Sequence, residues 1–324
     1  MAYLGSGESR WSHTLVGWTG EVEPVQETAI PLQQIPINTS AKVPTTLNGS
    51  ALPLNKAAAP VPVDANQRLP SHPLLDGFEV DLEDRERLDK QLSSSRYGKI
   101  VPVWLTGESE HPDDTVFLDD QGRWRRYAER ELYPLLHYKQ HGPTDGKSER
   151  KWWADYVRMN RLFADRIAQE YKEGDIVWIH DYHLFLLPSM LRQRIPNIYI
   201  GFFLHAPFPS SEFMRCLAKR KEVLTGVLGA NMIGFQTFSY SRHFSSCCTR
   251  VLGFDSNSAG VDAYGAHVAV DVFPIGIDTK TIQKAAFGSA EIEKAVLGIR
   301  KLYAGKKIIV GRDRLDSVRG VAQK

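Results

Sequence analysis

The sequence predicts an α/β protein built on a parallel sheet with helices on both faces. Three observations carry that prediction. From residue 175 onward, short β-branched and aromatic runs alternate with helix-length segments, the order expected of a parallel sheet with crossover helices. Two of those runs, Asp175 to Ile179 and Ile198 to Leu204, end abruptly in polar groups: His180, Asp181, Tyr182 and His183 after the first, His205 after the second. Buried strands that deliver polar side chains at their carboxyl ends describe a ligand crevice on an open α/β sheet. Third, Trp153, Tyr156, Val157, Phe163, Ala164, Ile167 and Tyr171 recur at three- and four-residue steps. That spacing makes one apolar helix face.

The elements follow in order. TLVGWT at 14–19 reads as a strand, and Gly20 opens a loop. Residues 21–73 carry many Pro, Ala, Thr, Asn and Ser and no sustained periodicity. Large apolar groups are too sparse there to offset the ordering entropy, so a disordered insertion is expected. A charged helix fits 82–92, and KIVPVWL at 99–105 returns to strand composition. Pro102 restricts that strand to an edge or a strand start. The long helix spans 148–171, with Gly174 as its stop. Then come strand 175–179, helix 183–194, strand 197–204, helix 210–224, strand 231–235, helix 239–252, strand 267–273, helix 279–304 and strand 306–311. No internal repeat is evident. The final strand leads only to a charged turn, and no Gly-rich first turn precedes residue 14, so the lobe is expected to be truncated at both ends.

Composition bounds the function. The 324 residues are 42% hydrophobic and 24% charged, with a formal net charge of +2. This is the profile of a soluble globular chain with no polybasic footprint for nucleic acid. No apolar run reaches the length of a membrane span, and the N-terminus lacks the apolar core of a secretory signal. Cys216, Cys247 and Cys248 cannot form a disulfide framework. A reduced, cytoplasmic setting with three buried structural thiols is expected.

The motifs combine into a family resemblance. HDYH at 180–183, LLPSMLR at 186–192, FFLHAPFPSSE at 202–212, GFQTFSYSRHF at 234–244, FPIGID at 273–278 and GRDRLDSVRG at 311–320 resemble trehalose-6-phosphate synthase domains, retaining glycosyltransferases of family 20. The resemblance runs from about residue 14 to 324, apart from the insertion. It implies a Rossmann-like N-terminal lobe of GT-B type: residues 1–20 begin the lobe, 21–73 are the insertion, 74–304 the lobe proper. Residues 305–324 are then the first strand of a missing C-terminal lobe. The VRG ending and the FSYSRHF segment resemble most the synthase-like half of fungal trehalose-6-phosphate phosphatase or regulatory subunits, where that half is structural. No DxDx(T/V) phosphatase nucleophile motif occurs in the chain.

The resemblance also implies site residues. The family moves glucose from UDP-glucose to glucose-6-phosphate, with no metal required and no cofactor beyond the donor. Asp181 matches the carboxylate that binds acceptor hydroxyls, a task suited to an acceptor of two hydrogen bonds. His205 matches the histidine at the transferred glucose, where a ring nitrogen either bonds a sugar hydroxyl or donates to charge building in the transition state. Arg314 and Arg319 match the basic pair that grips the diphosphate leaving group. The family has lysine at the second position, and the guanidinium fork has a different reach. The acceptor-phosphate aromatic pair is altered as well. Trp124 stands at the tyrosine position and Tyr133 at the tryptophan position, so Trp124 offers no hydroxyl to a phosphate.

Plainer roles compete at several positions. Asp181 also fits a helix N-cap, and His205 a satisfied histidine under the FPSSE turn. Ser210 and Ser211 before Glu212 read as capping residues. His180 and His183 lack the facing geometry of helical i, i+4 metal ligands, so no metal site is expected. Arg314, Asp316 and Arg319 equally fit a charged loop. The expectation is a noncatalytic synthase-like scaffold in trehalose biosynthesis, with the other subunits of a trehalose synthase complex as partners. The alternative is a fragment of an active glucosyltransferase acting on UDP-glucose and glucose-6-phosphate.

Overall fold

A computed structural model describes residues 12–20, 78–94, 98–106, 116–118, 120–140, 145–315 and 318–324. The expected insertion at 21–73 lies outside the described residues.

In chain order the elements are β1 (Thr14–Trp18), β2 (Phe78–Val80), α1 (Leu82–Ser93), β3 (Lys99–Val103), β4 (Val116–Leu118), α2 (Tyr133–Leu136), α3 (Gly146–Glu170), β5 (Ile176–His180), α4 (Leu187–Arg194), β6 (Tyr199–Phe203), α5 (Ser211–Met214), α6 (Arg220–Val227), β7 (Met232–Phe235), α7 (Phe238–Cys247), β8 (Asp255–Ser256), β9 (Gly260–Ala263), β10 (Ala266–Val272), α8 (Thr279–Phe287) and α9 (Ala290–Leu302). The main sheet has six strands in the order β5-β6-β7-β10-β9-β8. Its first four are parallel, while β9 and β8 add antiparallel. β1 and β3 form a separate parallel pair, and β2 and β4 an antiparallel one.

The strands β5, β6, β7 and β10 advance in one direction. Right-handed crossovers therefore place their connecting helices on one face. There α3 packs on α4, α4 on α6, and α7 on β7 and β10. Ile179, Ile200, Phe202, Ile233 and Val270 fill the layer between. Two glycines set how closely α4 and α6 approach. A Cβ on Gly226 would lie 2.5 Å from the Phe185 carbonyl oxygen, and one on Gly229 only 2.3 Å from the Ser189 nitrogen. On the opposite face of β5 and β6 the described residues leave several apolar side chains open. Ile176, Trp178 and Tyr199 are 67%, 60% and 61% exposed there.

The helix α3 begins where Asp145 accepts a bond from the Ser148 amide at 2.8 Å, a capping contact that satisfies one free N–H. Its inner face buries Tyr156, Met159, Phe163, Ala164 and Ile167. It touches both β1 and β3, and Val16 and Trp18 join the same core as Ile179. Pro102 sits within β3 opposite Gly17, tolerated because the pair has only two strands.

Several expected elements are divided or absent. The helix at 210–224 is two, α5 and α6, and that at 279–304 is α8 and α9. Neither α8 nor α9 buries a residue. Residues 306–311, expected as a strand, are irregular and exposed, with no ladder partner among the described residues. Apolar composition alone does not make a strand; a neighbour must supply the other half of each hydrogen bond. Residues 121–132, not anticipated as helical, form a 3₁₀ turn and a π-helical turn leading into α2. Cys247 and Cys248 are buried as expected, but Cys216 is exposed.

Candidate functional site

The parallel strands β5 and β6 end side by side, and the polar residues that follow them meet there. Register pairs His180 with Phe203. Side chains on a strand alternate faces, so Phe203 and His205, two residues on, lie on the same side as His180. His180 Nδ1 lies 3.1 Å from His205 Nε2, with the rings 5.3 Å apart and inclined by 27°. Burial, reinforced by the His205 imidazole, holds the His180 ring below its ordinary range, while the Asp181 carboxylate opposes this.

Asp181 forms the corner between β5 and the following turn. Its amide donates to the Phe203 carbonyl at 2.9 Å, so the corner is pinned to β6. Its backbone sits at φ 69°, ψ 173°, a region populated almost entirely by glycine and strained by about 1–3 kcal/mol for other residues. Asp181 makes no N-cap bond through its side chain. Its Oδ1 is buried without a hydrogen-bond partner, an orphaned acceptor of the kind that marks a site or an ordered water.

The turn itself hangs from α3. The Tyr156 hydroxyl donates to the Tyr182 carbonyl at 2.7 Å and accepts from the Phe185 amide at 3.2 Å. Asn160 donates to the His183 carbonyl at 3.1 Å. Burial raises the Tyr182 phenol above its ordinary range, the Asp181 and Glu129 carboxylates add to this, and the Arg314 guanidinium opposes it. Burial lowers the His183 imidazole, with Asp181 and Glu129 opposing and Arg125 assisting.

The expected site residues fall in different places. Asp181 and His205 follow the ends of the neighbouring strands β5 and β6. Tyr133, on α2, packs beside the turn after β5: its ring is 6.0 Å from Tyr182 and 4.3 Å from His137. Its hydroxyl is buried without a hydrogen-bond partner. Trp124 is 1% exposed within the core cluster. The Arg123 guanidinium covers its ring at 4.9 Å. Arg314 lies on an exposed irregular segment yet acts electrostatically on Tyr182. Arg319 is exposed in a turn.

Sequence reasoning passed over His180 as a partner of His205, and over the loop anchors Tyr138 and His243. The Tyr138 hydroxyl accepts from the Ser210 amide at 3.0 Å, and His243 Nδ1 bonds the Phe208 carbonyl at 3.0 Å. Together they fix the FPSS loop that follows His205. The signal for His180 was present: it and His205 occupy matching positions at the ends of consecutive parallel strands.

Comparison with known proteins adds a lineage. The family model for glycosyltransferase family 20 matches residues 78–324. The chain is 37% identical to a trehalose-phosphatase of Saccharomyces cerevisiae, over all of this chain and 34% of that protein. It is 52% identical to the solved N-terminal domain of Candida albicans trehalose-6-phosphate phosphatase, with a TM-score of 0.65, covering 75% of this chain and 49% of that one. A UDP-forming α,α-trehalose-phosphate synthase from Burkholderia xenovorans matches at 29% identity and a TM-score of 0.53, covering 62% and 45%. The chain spans about a third of the length of the yeast relatives it matches.

Proposed function

The chain belongs to glycosyltransferase family 20, and from that premise we propose that it is a synthase-like domain of trehalose biosynthesis acting as a noncatalytic scaffold. The observation that carries the reading is Trp124. It stands where the resemblance requires a phosphate-binding tyrosine, and it is sealed in the core at 1% exposure. An indole offers no hydroxyl, and a buried one cannot reach an anion in a crevice. The similarity to the solved N-terminal domain of Candida albicans trehalose-6-phosphate phosphatase, at 52% identity over 75% of this chain, supports a synthase-like domain of a phosphatase-type subunit.

In this reading the partners are the other subunits of a trehalose synthase complex, and the compartment is the cytoplasm. The wall formed by Asp181, His205 and Tyr133 keeps its capacity for sugar hydroxyls. Arg314 and Arg319 contribute surface charge instead of gripping a diphosphate. No cofactor or metal is needed.

A second reading is favoured by the strand ends themselves. Asp181 and His205 follow the ends of neighbouring parallel strands, and the Asp181 amide is bonded to the Phe203 carbonyl, which suits a fragment of an active retaining glucosyltransferase that uses UDP-glucose and glucose-6-phosphate. The experiment that separates the two is turnover. The protein is incubated with both substrates and assayed for trehalose-6-phosphate. The scaffold reading expects none, and product that disappears in Asp181→Ala would overturn it.

A further inference from the structure

We propose that the segment 306–310 is a closing strap for the free edge of β5: it swings about its flanking glycines and adds to β5 as a parallel strand.

β5 ends the main sheet and pairs with β6 alone among the described residues. The Asp181 amide donates to the Phe203 carbonyl. Val177 and Ile179, in step with Asp181, therefore direct their backbone groups to β6, and Ile176, Trp178 and His180 direct theirs to the open side. An edge strand with Ile176 and Trp178 exposed is a template for another strand.

The same chain carries a strand-like segment without a partner. Gly305 and Gly311 bracket five residues, KKIIV, which is the length of β5. Ile308, Ile309 and Val310 are all exposed, Ile309 at 96%. Three β-branched residues in a row suit a strand covered on both faces, and here neither face is covered. The near end of the segment is free to pivot. Gly305 holds φ 74° with open space where a Cβ would stand, and α9 before it buries no residue.

Charge and position match the two strands. Exposed Glu173 and Asp175 precede β5, against the single cation Lys172, and Asp181 with its unpartnered Oδ1 follows it. The segment is basic at both ends, with Lys306 and Lys307 at its start and Arg312 and Arg314 beyond its finish. Asp313 between those arginines is paired with Lys324 at 2.5 Å. Either direction of insertion satisfies these charges, and Arg314 decides between them. Its guanidinium acts electrostatically on the Tyr182 phenol, so the chain just past the segment already stands by the carboxyl end of β5. Only parallel addition keeps it there. Val310 then lies opposite His180, Ile309 beside Ile179 on the core side, and Ile308 beside Trp178 on the open side. Closure takes apolar side chains of both strands out of water and pairs the outward backbone groups of β5. It also removes an edge that otherwise invites pairing with other molecules.

Hydrogen exchange on the full chain, read amide by amide by NMR, tests the strap. The Trp178 amide faces the strap and the Ile179 amide faces β6. In the wild type Trp178 is expected to exchange about tenfold more slowly than in Ile309→Asp, with Ile179 alike in both. Ile309 is almost fully exposed in the open form, so its substitution leaves that form intact. A Trp178 amide that exchanges at the same rate in both proteins overturns the strap.

Cross-linking tests the register and the origin of the strand. In a Cys216→Ser background, Ile308→Cys is combined with Trp178→Cys, or with Tyr199→Cys on β6 as the control, and the protein is oxidised with copper phenanthroline. The 308–178 pair is expected to close within single chains about tenfold faster than the 308–199 pair. Equal rates overturn the placement on β5. A cross-link found only between two chains overturns the intramolecular strap and assigns the strand to a second copy.

Discussion

The Tyr156 hydroxyl is bonded to the turn after β5 twice, donating to the Tyr182 carbonyl at 2.7 Å and accepting from the Phe185 amide at 3.2 Å. One buried oxygen on α3 thereby satisfies two backbone groups of the segment that carries Asp181. Tyr156→Phe strips both partners at once. A buried polar group left unpaired costs about 1–3 kcal/mol, so the variant is expected to lose stability in that range by urea unfolding. A change below ~0.5 kcal/mol would contradict the pinning role.

Asp181 holds a glycine-type backbone geometry and a buried, unpartnered oxygen. Both are unfavourable for folding. Asp181→Gly relieves both and is expected to raise stability by about 1 kcal/mol, shifting the urea midpoint upward. Asp181→Asn keeps the backbone strain and is expected to gain less. A glycine variant less stable than wild type would show that the corner is not strained.

Stability should fall on mild acidification. His180 and His183 are both held below the ordinary histidine value of 6.5, by burial first. A histidine with a lowered folded pKa binds its proton less readily in the native state than in the unfolded one. Its contribution is therefore fully present above pH 6.5 and is lost as pH falls from 6.5 through the folded value. His183→Gln is expected to unfold with a shallower pH dependence than wild type across that window. Parallel curves for the two proteins would refute this.

The three thiols differ in environment. Burial pushes the Cys247 thiol up to about 12 and Cys248 further still, whereas Cys216 is exposed beside Gln140. Thiolate, not thiol, reacts with maleimide. Native labelling is expected to modify Cys216 and to vanish in Cys216→Ser. Rapid labelling of the variant would place a buried cysteine near the surface.

How legible all this was depended on periodicity. The runs at 175–179 and 197–204 and the stripe on α3 declared themselves because each has one clear apolar period. The polar corners after β5 and β6 were legible for the same reason, since polar residues that interrupt an apolar strand are conspicuous. The 3₁₀ and π turns at 121–132 were not, because their spacing matches neither template. Trp124 shows the limit of motif matching. The family resemblance implies a place for it in an acceptor wall, whereas the structure packs its ring into the core with the Tyr127–Tyr156 cluster. The segment 306–311 failed as a strand for want of a pairing neighbour, which composition cannot reveal. The His180–His205 contact required strand register, and no single motif contains it.

One consequence attaches to α3. Near its far end Glu170 is paired with Lys99 at the start of β3, while midway along it Tyr156 suspends the Asp181 turn. A 25-residue helix is a stiff rod of about 37 Å. The Lys99 ion pair and the Tyr156 hydroxyl bond thus tie the β1–β3 sheet and the Asp181 turn to one rod. Displacing the small β1–β3 sheet is therefore expected to move the Asp181 corner with it.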